Sequence, residues 1–344
     1  MNSTQALPRT RTHRALLSDD VVTSVFAFLA PEAGRGVYPA CKLYRDLWRR
    51  RCAGLLRVLR SPVGDLGFSE QVTAYGDGVV VANYGSDCLK TYSSRGDHVS
   101  DLLVGIPRPT AVAIRGDGTA WILLHNANLI VCARLNDPTY SRTMLINPAS
   151  FYPEHELEAG VIICDIGLAG DRLLILSRPS TYADTGQEPV PRIHVVDGTG
   201  ALLYQFLTHD LPGFQAACFA VQDDMLYVAA GGLGTGAIHT YNWRQGSVEG
   251  IIRLGGELAF RNSFGVAVSG KMLYVSEQDS TEDVAARIWI LRLPDDVSSD
   301  ATVVQVIPSP DGQELGGICL NRGRLWCMGP DEGRTHMHLL GPCY

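Results

Sequence analysis

Residues 110–124 read TAVAIRGDGTAWILL. Two short apolar runs flank a Gly-Asp-Gly segment, the sequence form of a β-hairpin, because glycine supplies the positive φ that a tight turn demands. The same unit recurs as QVTAYGDGVVVAN (71–83), CDIGLAGDRLLILS (164–177), ACFAVQDDMLYVAA (217–230), FGVAVSGKMLYVSE (264–277) and GGICLNRGRLWCMG (316–329). Spacing of about fifty residues between copies marks a repeat architecture, in which each unit buries its apolar face only against its neighbours.

Working outward, a third strand follows each hairpin: CLKTYS, LIVCARL, RIHVVD, AIHTYN, RIWILRL and HMHLLG. Fourth strands follow as HVSDLLVGI, TMLIN, ALLYQFL, VEGIIRL and VVQVI, but the last unit has none before Tyr344. The apolar run Leu55–Leu59, upstream of the first hairpin, is the expected substitute. Closing the ring this way hides two sheet edges that would otherwise pair with other chains.

The fold class expected is therefore mainly β, a six-bladed β-propeller preceded by a small α-helical N-terminal module. Residues 1–15 form a leader, 16–53 the helical module and 54–344 the propeller. The blades resemble NHL-type repeats, on PRPTAVAIRGDGTAWILLHNANLIV (107–131) and on the Leu226-Tyr227-Val228 and Leu273-Tyr274-Val275 strands. That resemblance speaks to architecture more than to function, since propellers host enzymes, binders and scaffolds.

Composition excludes several classes. The chain has 344 residues, 46% hydrophobic and 19% charged, with 36 glycines and a formal charge of −7. The acidic balance argues against broad nucleic-acid binding, which needs a basic footprint. Nine cysteines, odd in number and without a CxxC pair, read as reduced thiols. No run of about eighteen apolar residues predicts a membrane span, and the expected location is cytoplasmic or nuclear.

The helical module spans LSDDVVTSVFAFLAPEAGRGVYPACKLYRDLW, residues 17–48. Apolar residues recur at helical spacing from Leu17 to Leu29, Ser18 to Asp20 provide a cap and first-turn acids, and Pro31 ends the helix. The segment resembles an F-box: Leu17-Ser18-Asp19-Asp20, then Leu29-Ala30-Pro31, nine residues, then Cys41-Lys42-Leu43-Tyr44. It departs from that pattern at Ser18, at Tyr44 and at Gly34, Gly36 and Pro39. The resemblance implies docking to a Skp-type adaptor of a cullin-RING ubiquitin ligase through Leu17, Val21, Val25, Phe26, Leu29, Pro31 and Tyr44.

Strand polarity assigns the connections between strands two and three, and between blades, to one face. The longer ones are 147–160, 178–191, 230–236, 257–263, 277–286 and 308–315, and the closing strand starts from the other face, where the module is expected. Loops on a rigid scaffold carry binding, so Phe151, Tyr152, His155, Tyr182, Phe260 and Arg261 are candidate contacts with a protein partner.

Aligned inner strands place Gln71, Thr110, Cys164, Ala217, Phe264 and Gly316 at one level of a central channel. Val72, Ala111, Asp165, Cys218, Gly265 and Gly317 form the next. With Asp165 the sole carboxylate there, neither ring offers a metal ligand set. His194, His239 and His338 occupy equivalent positions in three blades, too far apart to share an ion. The acidic residues Glu277, Asp279, Glu282 and Asp283 read as a solvated loop. No catalytic motif, metal or cofactor is expected. The chain reads as a non-enzymatic substrate receptor, with a scaffold unrelated to ubiquitin as the alternative and a channel enzyme as a third possibility.

Overall fold

The computed structural model describes residues 56–63, 66, 71–135, 144–153, 160–179, 190–208, 215–231, 236–254, 260, 262–277, 286–294, 300–310, 314–331 and 334–342. The chain divides into two compact units, Met1–Leu56 with Pro342–Tyr344, and Arg57–Gly341. The helical module expected over 16–53, with all seven adaptor-facing residues, lies outside the described residues, as do His155, Tyr182 and Arg261.

The second unit is a six-bladed β-propeller of six four-stranded antiparallel sheets. The innermost strands are Val72–Tyr75, Pro109–Ile114, Val161–Ala169, Gln215–Gln222, Ser263–Ser269 and Ile318–Asn321. Each packs against the next around the ring, and the sixth meets the first. In blade 2, Pro109–Ile114 pairs with Thr119–Leu124 across the expected turn. Gly118 takes φ 83° there, and Asp117 accepts the Thr119 backbone N–H at 2.9 Å.

Burial follows position in the blade. Second strands such as Gly78–Asn83 are buried at every residue, because they lie between neighbouring blades on both faces. Outermost strands such as Leu202–Leu207 alternate half-buried and exposed residues, as a strand with one wet face must. The core lies at the junctions between blades. Trp121 of blade 2 packs with Ile166 and Leu173 of blade 3, and Tyr227 of blade 4 with Trp289 of blade 5. Trp326 and Met337 of blade 6 pack with Val79 and Val81 of blade 1, which closes the ring.

The sixth blade takes its outer strand from Leu56–Val63, beside Arg334–Pro342. This strand runs further than the expected Leu55–Leu59. Leu59 lies over Gly341, and Ser61 meets His338 at 2.7 Å. The polar end of the strand pairs as well as its apolar start.

Candidate functional site

Four inner strands carry a register break near the same level. The pairing skips between Pro109 and Ala111, Ile163 and Asp165, Ala216 and Cys218, and Ser263 and Val266. A β-bulge adds one residue that the ladder leaves unpaired, and it turns a side chain away from the sheet rhythm. The residues involved are Thr110, Cys164, Ala217 and Phe264, and all four line a cavity of about 590 Å³ at one end of the central channel. The aligned upper ring of the sequence is thus largely the wall of this mouth.

Ends of second strands complete the wall. Leu123, Arg178 and Gly231 reach it from blades 2, 3 and 4, with His125 and Asn128 from the 3-10 turn that follows strand two of blade 2. Asn262 lies where a side chain at Gly231 would stand, so glycine there leaves room for the carboxamide. His125 stacks edge-on against Tyr84 of blade 1, which also lies under Arg108. This mouth is on the face that the longer connections occupy.

A second cavity of about 360 Å³ continues the channel toward the other face. Gln71 borders both cavities. Its Nε2 donates to Cys218 Sγ at 3.5 Å, and its side chain also hydrogen-bonds Asp165. One residue of blade 1 thus reaches blades 3 and 4 where the two cavities meet. Asp165 is buried and accepts the backbone N–H of Ile166 at 2.7 Å and of Phe219 at 2.9 Å. Burial raises its carboxyl to about 7, against the hydrogen bonds from Phe219, Gln71 and Ile166 that favour the charged form. Cys319, lower in the same channel, is pushed up to about 12 by burial, so it carries no thiolate at neutral pH.

Of the expected contact residues, Phe151 is half-buried, with its ring 5.4 Å from that of His194. Tyr152 is buried, its hydroxyl 2.6 Å from Ser177 Oγ, which lies 2.7 Å from His194 Nε2. Phe260 is also buried, edge-on to Trp289 at 6.0 Å. Tyr152 and Phe260 therefore brace the roots of their loops. One expectation is corrected: Glu277 is the fully buried end of strand two of blade 5, not part of a solvated loop. It accepts Arg287 Nε at 2.7 Å, and the pairing offsets the desolvation that burial imposes. Arg178 opens the 178–191 connection in the sequence, and only the fold places it in the mouth.

No three His, Cys, Asp or Glu side chains converge as a metal site among the described residues. Among the same residues no cysteine forms a disulfide, and no helix is long and apolar enough to cross a membrane.

No family model matches the chain, and no curated protein matches its sequence. Solved structures share its fold. A luciferin-regenerating enzyme superposes with TM-score 0.56 at 9% identity, over 83% of this chain and 95% of that one. A gluconolactonase from Xanthomonas campestris gives 0.52 at 14%, over 83% and 94%. A subtype N10 neuraminidase-like protein of A/little yellow-shouldered bat/Guatemala gives 0.52 at 13%, over 83% and 97%. At such identities the likeness establishes the propeller fold alone.

Proposed function

We propose that this chain is a non-enzymatic substrate receptor of an SCF-type cullin-RING ubiquitin ligase. The Skp-type adaptor is met by Leu17, Val21, Val25, Phe26, Leu29, Pro31 and Tyr44, and a protein cargo by the mouth face of the propeller. The observation that supports the receptor half is the asymmetry of the ring. The connections following Ile146, Pro179, Ile252, Glu277 and Pro308 all issue at the mouth face. The first turns of five blades, such as Gly76-Asp77 and Gly270-Lys271, are two residues long at the other, and that of blade 2, residues 115–118, is four. The connections after Arg134 and after Arg292, nine residues each, are the two long departures from this rule. Variable connections around a rigid rim are the usual form of a recognition surface. The adaptor half is supported by the spacing from Leu17 to Tyr44, and it implies work in the cytoplasm or nucleus.

The same asymmetry also supports a scaffold outside ubiquitin transfer. The two readings separate by co-purification of the full chain with a Skp-type adaptor. Capture at micromolar concentration, lost in a Leu29→Asp, Pro31→Ala double variant, is the expected result. A wild-type chain that ignores the adaptor sinks the ligase reading and leaves the scaffold.

A further inference from the structure

We propose that the channel mouth contains a carboxylate subsite centred on Arg178, suited to a small organic acid with an apolar body. Three observations converge on it. The cavity of about 590 Å³ falls within the range of roughly 300–1,000 Å³ typical of small-ligand sites. Arg178 lines it, and the described lining contains no carboxylate. The Arg178 Nε is buried and has no hydrogen-bond partner.

Arg115 also leaves a buried Nε without an acceptor, but its Nη2 donates to the Asp171 carbonyl at 3.2 Å; Arg287 donates its Nε to Glu277, and Arg192 stacks on Tyr152. A buried guanidinium donor with no acceptor is costly and calls for an explanation, which a bound anion at this mouth would supply. The strand explains how Arg178 is held there. It pairs with Ile162, two residues before the bulge at Cys164, so the backbone beneath it is a regular ladder.

The chemistry of the lining selects the ligand class. A planar guanidinium fork matches a carboxylate in bidentate geometry. A single arginine balances one negative charge, whereas inorganic phosphate near neutral pH carries more and wants more than one cation. Thr110, Asn128 and Asn262 offer neutral hydrogen bonds around the charge, while Leu123, Ile163 and Phe264 supply apolar wall for a hydrocarbon body. The site goes beyond the receptor reading, because the adaptor experiment does not involve Arg178.

The test uses the full chain with hexanoate, hexanamide and inorganic phosphate as probes, in ligand-observed NMR titrations. Hexanoate is expected to bind saturably, and the amide and phosphate at least about tenfold more weakly, as loss of a charge-assisted hydrogen bond predicts. Arg178→Met should reduce hexanoate affinity by at least about tenfold, and Arg178→Lys should recover part of it. Unfolding midpoints of both variants report whether the fold is intact, and the acid-against-amide comparison on the wild type stands without any variant. Equal binding of acid and amide, preference for phosphate, unchanged hexanoate affinity in Arg178→Met, or no hexanoate binding at low millimolar concentration would each overturn the site.

Discussion

The carboxylate of Asp165 on blade 3 accepts the backbone N–H of Phe219 on blade 4 at 2.9 Å, so one side chain fastens two neighbouring blades at the channel wall. Its other oxygen accepts Ile166 N–H within its own strand. A backbone group this deep must be paired, and a carboxylate with two acceptor oxygens satisfies two such donors at once.

Asp165→Asn tests that arrangement. Asparagine keeps one acceptor oxygen and turns an NH₂ toward the other backbone donor, a loss of about 1–3 kcal/mol. The pH dependence gives a sharper readout. Because burial raises the folded carboxyl from 3.8 to about 7, the unfolded chain ionises first. The contribution of Asp165 to stability is whole below pH 3.8 and is lost as pH rises toward 7. The unfolding free energy of wild type relative to Asp165→Asn should therefore fall across that window, on the order of 4 kcal/mol in total. Urea titrations at steps through the window measure it, and parallel pH curves would show that the buried carboxyl does not titrate there.

Gly265 marks a close approach between blades 5 and 6. A Cβ there would stand 2.6 Å from Ser276 Oγ, 2.7 Å from the Gly316 carbonyl oxygen and 2.9 Å from Ile318 N. Ser276 Oγ already bridges the junction, accepting from Gly265 N–H at 2.9 Å and donating to Gly316 O at 2.6 Å. Gly265→Ala should cost about 1–3 kcal/mol or more, because backbone of the next blade has to move. Gly116→Ala, with open space at its Cβ, should change the thermal midpoint little. Equal midpoints for the two variants would refute the close approach.

How much of this could be read beforehand differs by residue. The six hairpins were legible because strand two of each blade has an apolar middle, as in Val79–Ala82, Leu173–Leu176 and Leu273–Val275, which a strand covered on both faces favours. Asp165 was legible as the lone carboxylate of the channel rings. The bulges at Thr110, Cys164 and Ala217 were not, since an extra residue in a ladder leaves no compositional mark and shows only in the pairing. Glu277 was misjudged because its partner Arg287 lies ten positions away, beyond a loop. Arg178 was hidden by its place at a strand end, where only the fold shows which way the rim faces.

The chain of hydroxyls from Tyr152 through Ser177 to His194 links the loop before blade 3 to the body of that blade. Ser177→Ala removes a hydrogen bond from both neighbours and should cost about 2 kcal/mol, against about 1 for Tyr152→Phe. Burial, with Arg192 nearby, lowers His194 from 6.5 to about 4, while Gln205 acts the other way. A depressed histidine contributes stability above pH 6.5 that is lost as pH falls toward 4. His194→Gln cannot titrate and should lack this acid limb in chemical denaturation. An acid limb of unchanged depth would assign it to other groups.

Ring closure makes the last prediction. The strand Leu56–Val63 is the outer partner of Arg334–Pro342, and Trp326, Met337 and Leu339 of the same blade form part of the core shared with blade 1. Removing residues 1–63 would strip that partner and leave a row of unpaired backbone groups at an edge, which invites association with other chains. Removing residues 1–53 retains the strand. The shorter truncation should remain monomeric on size exclusion with a thermal midpoint near that of the full chain. The longer one should melt lower and elute as aggregate. If both behave alike, the sixth blade is held by its own three strands and the closing strand is dispensable. If the longer truncation alone fails, closure is a condition for keeping the inner strands in register, and with them the mouth that Arg178 lines.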